Sequence, residues 1–224
     1  MASSAQAQSA KFDATWSNDV VFAKAAIADP ATVPTCTDSG GGSGDPCIVA
    51  EALMASLDVA QQKDLLIGVS AQIGLVTLTV AKGKSGSATQ VGEALASAGV
   101  DVTLELREAN GLGTGALVQI AAPGKVTFAS RLQELKVTVA DSDTDFLTEV
   151  TVSLLLDTTA AQHFNFLGVD LDQGVYDVVA VFDLSAFVAI VGEAAVAEAE
   201  VILGPRMVTA QEVRAAKDSL IALP

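Results

Sequence analysis

His163 is the one imidazole in a chain of 224 residues, and it lies in Gln162-His163-Phe164-Asn165-Phe166. A Ser-His-Asp mechanism would have to use it as the base. No Gly-x-Ser-x-Gly elbow accompanies it. A base needs a nucleophile and an orienting group placed around it, and the sequence offers neither as a motif. The plainer expectation is a histidine at a sheet corner beside two core phenylalanines. The chain is therefore expected to be non-catalytic, with a hydrolase built on His163 as the minor alternative.

Carboxylates offer two further chemistries. Asp141, Asp143 and Asp145 form a D-x-D-x-D run, and alternate carboxylates in a loop can converge on Ca²⁺. An EF-hand would also need glycine at its sixth position and glutamate at its twelfth. Phe146 and Val152 stand there instead. A looser calcium site remains, joined by Asp170 and Asp172 from another turn; otherwise no cofactor is expected. The competing reading is a solvated acidic turn, since turns select aspartate anyway. Glu105, Glu108, Glu134 and Glu149 fall on or near polar strand faces, where two could in principle pair as glycosidase carboxylates. A sugar site also wants aromatic platforms, and outside the phenylalanines only Trp16 and Tyr176 are available. A glycan-binding module needs only one such ring, so it is the better of the two sugar readings. Gly111-Leu112-Gly113-Thr114-Gly115 follows Asn110. It has no lysine and no strand-to-helix setting, so it reads as turn chemistry rather than a phosphate loop.

Cys36 and Cys47 bracket Thr37-Asp38-Ser39-Gly40-Gly41-Gly42-Ser43-Gly44-Asp45-Pro46. Two thiols at the feet of a Gly/Ser loop come together easily, and closing it would stabilise the fold by about 3 kcal/mol. A disulfide is expected, and it implies an oxidising compartment: secreted, periplasmic or cell surface. The first ten residues are expected to be flexible. They contain Ala5-Gln6-Ala7, a small-x-small pattern of the kind that precedes leader cleavage, but no apolar stretch follows Met1.

Composition bounds the partners. The formal net charge is −15, which suits no nucleic acid, because phosphate binding needs clustered lysine and arginine. No uninterrupted apolar run reaches the ~18 residues of a spanning helix. Half the chain is hydrophobic, so it is expected to fold.

The elements that must carry these residues read as strands. Val100, Val102, Leu104 and Leu106 alternate with Asp101, Thr103, Glu105 and Arg107, a strand with one wet face. Val150, Val152, Leu154 and Leu156 form another alternating strand, and Val175 to Leu184 reads as a strongly apolar one. In 64–80 the apolar phase runs through odd residues to Leu75 and then through Val76, Leu78 and Val80. That predicts a bulge or a change of sheet at Gly74. A second phase break falls near Gln133. Segments 48–58 and 185–203 are ambiguous between helix and strand, the latter read as a hairpin through Gly192. Thr209 to Leu220 is read as a short helix, capped by Thr209 with Glu212 three residues on.

Many strands at short spacing predict an all-β antiparallel sandwich, jelly-roll or Ig-like, over 11–224, with the short helix at its end. The expected function is that of an exported structural or interaction protein, its partner itself or another surface protein, joined by strand addition. The segment from Phe12 to Ala28 is the one suspected of exchange. A carbohydrate- or ligand-binding sandwich, calcium-assisted, is the alternative.

Overall fold

The computed structural model describes residues 11–29, 31–39, 47–59, 63–84, 90–139, 149–192 and 195–213. Among them the chain is all β, as two antiparallel sheets packed face to face. The strands are β1 (Phe12–Ser17), β2 (Val21–Ile27), β3 (Thr35–Asp38), β4 (Cys47–Val59), β5 (Lys63–Lys84), β6 (Gln90–Glu108), β7 (Leu117–Ile120), β8 (Val126–Val139), β9 (Glu149–Leu171), β10 (Gly174–Val191) and β11 (Val196–Val213). One sheet runs β3-β2-β11-β5-β9, with β1 continuing the β2 side of β11. The other runs β4-β10-β6-β7, with β8 continuing the β7 side of β6. The ambiguous segment 48–58 is thus strand β4. From β3 onward the chain changes sheet at most connections, so the ladders join distant segments.

The expected face switch at Gly74 does not occur. Leu65 through Leu75 are buried at every odd position, and the series continues through Thr77, Thr79 and Ala81, each 0% exposed. Sequence hydropathy misled here because inward threonines are polar and the outward Val76, Leu78 and Val80 are not. The interior accepts Thr77 and Thr79 because the Gln133 amide meets both hydroxyls, at 2.7 and 2.6 Å. Gln133 also donates to the Leu154 carbonyl at 2.7 Å. It sits in phase on β8, and the β8 bulge falls opposite Val100 and Asp101 instead.

The bulge expected in β5 lies on its neighbour. Between Leu203 and Arg206 strand β11 carries one residue more than β5, at Gly204-Pro205. Burial accordingly moves from Ala197, Ala199, Val201 and Leu203 to Arg206, Val208 and Ala210. β11 then runs through Val213, so Thr209 to Val213 is strand and not the start of a helix. Thr209 donates its hydroxyl to the Gly68 carbonyl at 3.3 Å, and Glu212 pairs with Lys63 at 3.3 Å. Cross-strand partners, not a capping box, use both side chains. The rest of the expected helix lies outside the described residues. β10 and β11 are both strands, but they belong to different sheets. Gly192, at φ +90, marks a passage between sheets rather than a hairpin.

Inward side chains of both sheets form the core, with Phe166, Phe182, Leu65, Ile67, Leu104 and Leu184 among the largest fully buried. Cys36 and Cys47 are joined, their Cα atoms 5.2 Å apart. Since β3 edges one sheet and β4 edges the other, the bond staples the sandwich along one side.

Candidate functional site

His163 stands on β9 directly opposite Ser70 of β5. Ser70 Oγ lies 2.8 Å from Nδ1, and Nε2 lies 3.1 Å from Asn165 Oδ1. The amide oxygen can only accept, so Nε2 is the donor of that bond, and in the neutral ring Nδ1 accepts from the serine. Gly68 makes room for the ring: a Cβ there would meet Thr209 Oγ1 at 2.8 Å and His163 Cε1 at 3.2 Å. A glycine inside a strand is the one sequence signal for this close approach. The serine and base are in register, but Ser70 lies on a strand paired on both sides, to β9 and β11. The backbone N–H groups of Ser70's own strand are committed to these two ladders. His163 is exposed and not at a sheet corner as expected; Phe164 and Phe166 beside it do point inward, their rings 5.1 Å apart.

The acidic candidates disperse. Asp141, Asp143, Asp145 and the side chain of Glu149 lie outside the described residues. Asp170 donates its N–H to Asp64 Oδ1 at 2.9 Å, and its own carboxylate accepts no hydrogen bond among the described residues. Asp172 lends its carbonyl to the Tyr176 hydroxyl at 3.0 Å. Glu105 is closed in a two-point pair with Arg107, at 2.6 and 2.7 Å. Glu134 sits opposite Leu95, ten residues along β6 from Glu105, or about 33 Å. These two cannot act as a glycosidase pair. Tyr176 is buried at 7% exposed and is no sugar platform. Burial raises its phenol above the ordinary range, with Asp172 and Glu108 adding to the effect. On the outer face of the β6 sheet, burial works against the charged Asp101. The Thr127 hydroxyl and the Lys125 ammonium outweigh it and hold that carboxyl below its ordinary range.

The glycine loop after β6 has a use the sequence did not show. The N–H groups of Asn110, Gly111 and Gly113 donate to Asp177 Oδ2 at 3.0, 3.2 and 3.2 Å. Gly111 and Gly113 adopt φ +70 and +67, which turns successive N–H groups inward as an anion nest. The anion it holds is the chain's own carboxylate.

Two surfaces stand out among the described residues. The first is the edge of β9. Ala122 and Leu167 exchange both backbone hydrogen bonds, at 2.8 and 3.0 Å. Groups pointing to one side of an antiparallel strand recur at every second residue. The register with β5 is unbroken from Gly168 back to Glu149, so the odd residues 151–165 turn their N–H and C=O groups out of the sheet. None of them pairs with backbone among the described residues. Even-numbered Val150, Val152, Leu154 and Leu156 overhang the facing sheet and remain 38–41% exposed, while Leu155 on the other face is 61% exposed. Arg131 and Gln133 of β8 reach under this ledge to the Leu156 and Leu154 carbonyls.

The second is a groove of about 370 Å³ on the outer face of the β5 sheet. One row crosses four strands there: Trp16, Met207, Ser70 and His163. Trp16 is 69% exposed. The Gly204-Pro205 bulge shapes one wall, and Asn18 and Gln72 stand at the rim. Trp16 was singled out in the sequence; the groove was not, because its walls come from segments far apart in the chain.

The fold defines the class of the chain as an antiparallel two-sheet β-sandwich. No family model and no curated protein matches it. A structure of infectious bursal disease virus, Gx strain, is similar over 92% of this chain and 61% of its own, at 8% identity and TM-score 0.21. The VP2 subviral particle of that virus is similar over 95% and 66%, at 7% identity and TM-score 0.14. The chain spans about three-fifths to two-thirds of those structures' length, and at these scores neither likeness bears on function.

Proposed function

We propose that the protein is a non-catalytic structural or interaction protein that joins a second copy of itself by strand addition along β9. The open β9 edge carries this reading. An unpaired row of backbone groups beside exposed leucines is a template for another strand. The segment is also self-complementary. An antiparallel two-fold centred on Leu155 sets Leu155 against Leu155 of the second copy and Leu154 against its Leu156. Asp157 then faces Ser153 rather than another carboxylate. Covering these leucines removes apolar surface from water at the place where it is most exposed, each worth up to ~2 kcal/mol. The Phe12–Ala28 segment is a weaker candidate for exchange, since β1 and β2 pair with β11 in the same chain. The disulfide favours an oxidising location, secreted, periplasmic or at a cell surface.

Proline substitutions test the edge. The Leu155 N–H points out of the sheet, so Leu155→Pro removes only an edge donor, which edge strands tolerate. Leu154→Pro removes a donor to β5 and should destabilise the fold itself. Light scattering at about 0.1 mM chain, where a contact worth ~5.5 kcal/mol is half formed, should give a dimer for the parent and a folded monomer for Leu155→Pro. A monomeric parent, or a Leu155→Pro protein that still dimerises, would sink the proposal.

A further inference from the structure

We propose that the groove beside Trp16 is a binding site for a neutral saccharide. It lies on the outer face of the β5 sheet, with Ala161 and Gln162 of β9 on one side, and it uses none of the outward backbone groups of the β9 edge. Three features converge. The first is an indole left 69% exposed on β1; Phe12, four residues back on the same face, is also exposed at 61% but does not line the groove. β1 places Trp16 opposite Met207, and Pro205 rises beside them from the bulge, so an apolar floor and wall meet at the ring. The C–H face of a pyranose is the ligand surface that fits an open indole face, because it is apolar while its edges carry hydroxyls.

The second feature is the set of polar groups at the rim. Asn18 and Gln72 each offer an amide with both donors and an acceptor, and neither side chain makes a hydrogen bond among the described residues. Adjacent sugar hydroxyls, each donor and acceptor at once, complement an amide in that way. Ser70 adds a hydroxyl to the lining, 2.8 Å from His163 Nδ1.

The third is charge. The one ionic residue along the groove, Arg206, turns its side chain inward, where it meets Glu51 at 2.6 Å and the Asp19 carbonyl at 2.8 Å. The lining therefore presents no charge to a ligand, in a chain of net charge −15. An anionic glycan would be repelled by the whole molecule and met by no cation; a cationic ligand would find no carboxylate. The four-strand row is about 14 Å across, an extended track rather than a pit, which suits an oligosaccharide lying along the sheet.

Trp16 is the chain's only tryptophan, so intrinsic fluorescence reports on the groove directly. The parent protein is titrated with cellohexaose, maltohexaose, mannohexaose and chitohexaose. The expected result is a saturable, blue-shifted change with at least one of them. Calorimetry should then show binding lost in Trp16→Ala and weakened about 5- to 20-fold in Gln72→Ala. Both variants alter exposed side chains, and circular dichroism checks that they fold; Trp16→Phe, retaining a ring, should bind weakly if the alanine variant does not fold. Leu155→Pro should bind as the parent does, which separates this site from the β9 contact. No saturable change with any of the four sugars overturns the proposal. So does binding that survives Trp16→Ala, or a fluorescence change produced by protein concentration alone, which would mark the groove as a contact between copies.

Discussion

Three N–H groups from residues 110–113 share one oxygen of Asp177, and that oxygen comes from a strand more than sixty residues downstream. The sequence shows the loop's half of this arrangement, a run of glycines after an asparagine, but nothing local says which acid fills it. His163 is similar: its position was plain and Asn165 is its neighbour two residues along β9, whereas Ser70 became its partner only through the β5–β9 register. Asp177 is the residue on which the outer closure of the β10 sheet depends. Asp177→Ala strands three donors beneath a loop that also covers Val179 and Met54, and unsatisfied buried donors cost ~1–3 kcal/mol each. The loop can relax toward water, so the expected loss is about 2–4 kcal/mol in urea denaturation. Asp177→Asn keeps an acceptor and should lose less than half of that. An alanine variant as stable as the parent would show that the loop is held by its apolar contacts instead.

Strands announce themselves by alternation, and that is why the sandwich was legible while its bends were not. β6 and β10 have long inward rows of valine, leucine and phenylalanine, and their sequence pattern transfers directly to burial. β5 does not, because its inward Thr77 and Thr79 are matched by a glutamine from β8. Polar residues that satisfy one another across a sheet look outward to any rule based on one strand. The start of the helix read over 209–220 is strand for the same reason: Thr209 and Glu212 had local roles available, and cross-strand partners took them. The polar trio makes a sharp prediction. Gln133→Leu leaves two buried hydroxyls without their amide and should cost about 2–4 kcal/mol. Adding Thr77→Val and Thr79→Val removes the stranded groups and keeps the shape, so the triple variant should return to within ~1 kcal/mol of the parent. Chemical denaturation of the three proteins measures both steps. Equal destabilisation in the single and triple variants would mean that packing, not hydrogen bonding, sets the β5–β8 contact.

The sandwich is asymmetric at its two long sides. On one, the Cys36–Cys47 bond ties β3 to β4, and the Asp13 carboxylate of β1 accepts from the Ser56 N–H of β4. On the other, β9 overhangs β8 with an open ladder and leucines on both faces. One side is sealed covalently, and the other presents the surface through which copies would add. Opposing that addition is the charge of the whole chain, −15 per copy, which repels a second copy at any orientation. The β9 centre itself is uncharged between Thr151 and Leu156, so the attraction there is apolar and backbone in kind, and salt does not weaken it. Screening should therefore strengthen the dimer. Between ~0.01 M and ~0.15 M salt the Debye length falls from about 30 to 8 Å. Across that range the dissociation constant from sedimentation should fall several-fold, while Leu155→Pro stays monomeric at every salt. A dissociation constant that rises with salt would assign the contact to ion pairs elsewhere on the surface, and the β9 edge would no longer be its seat.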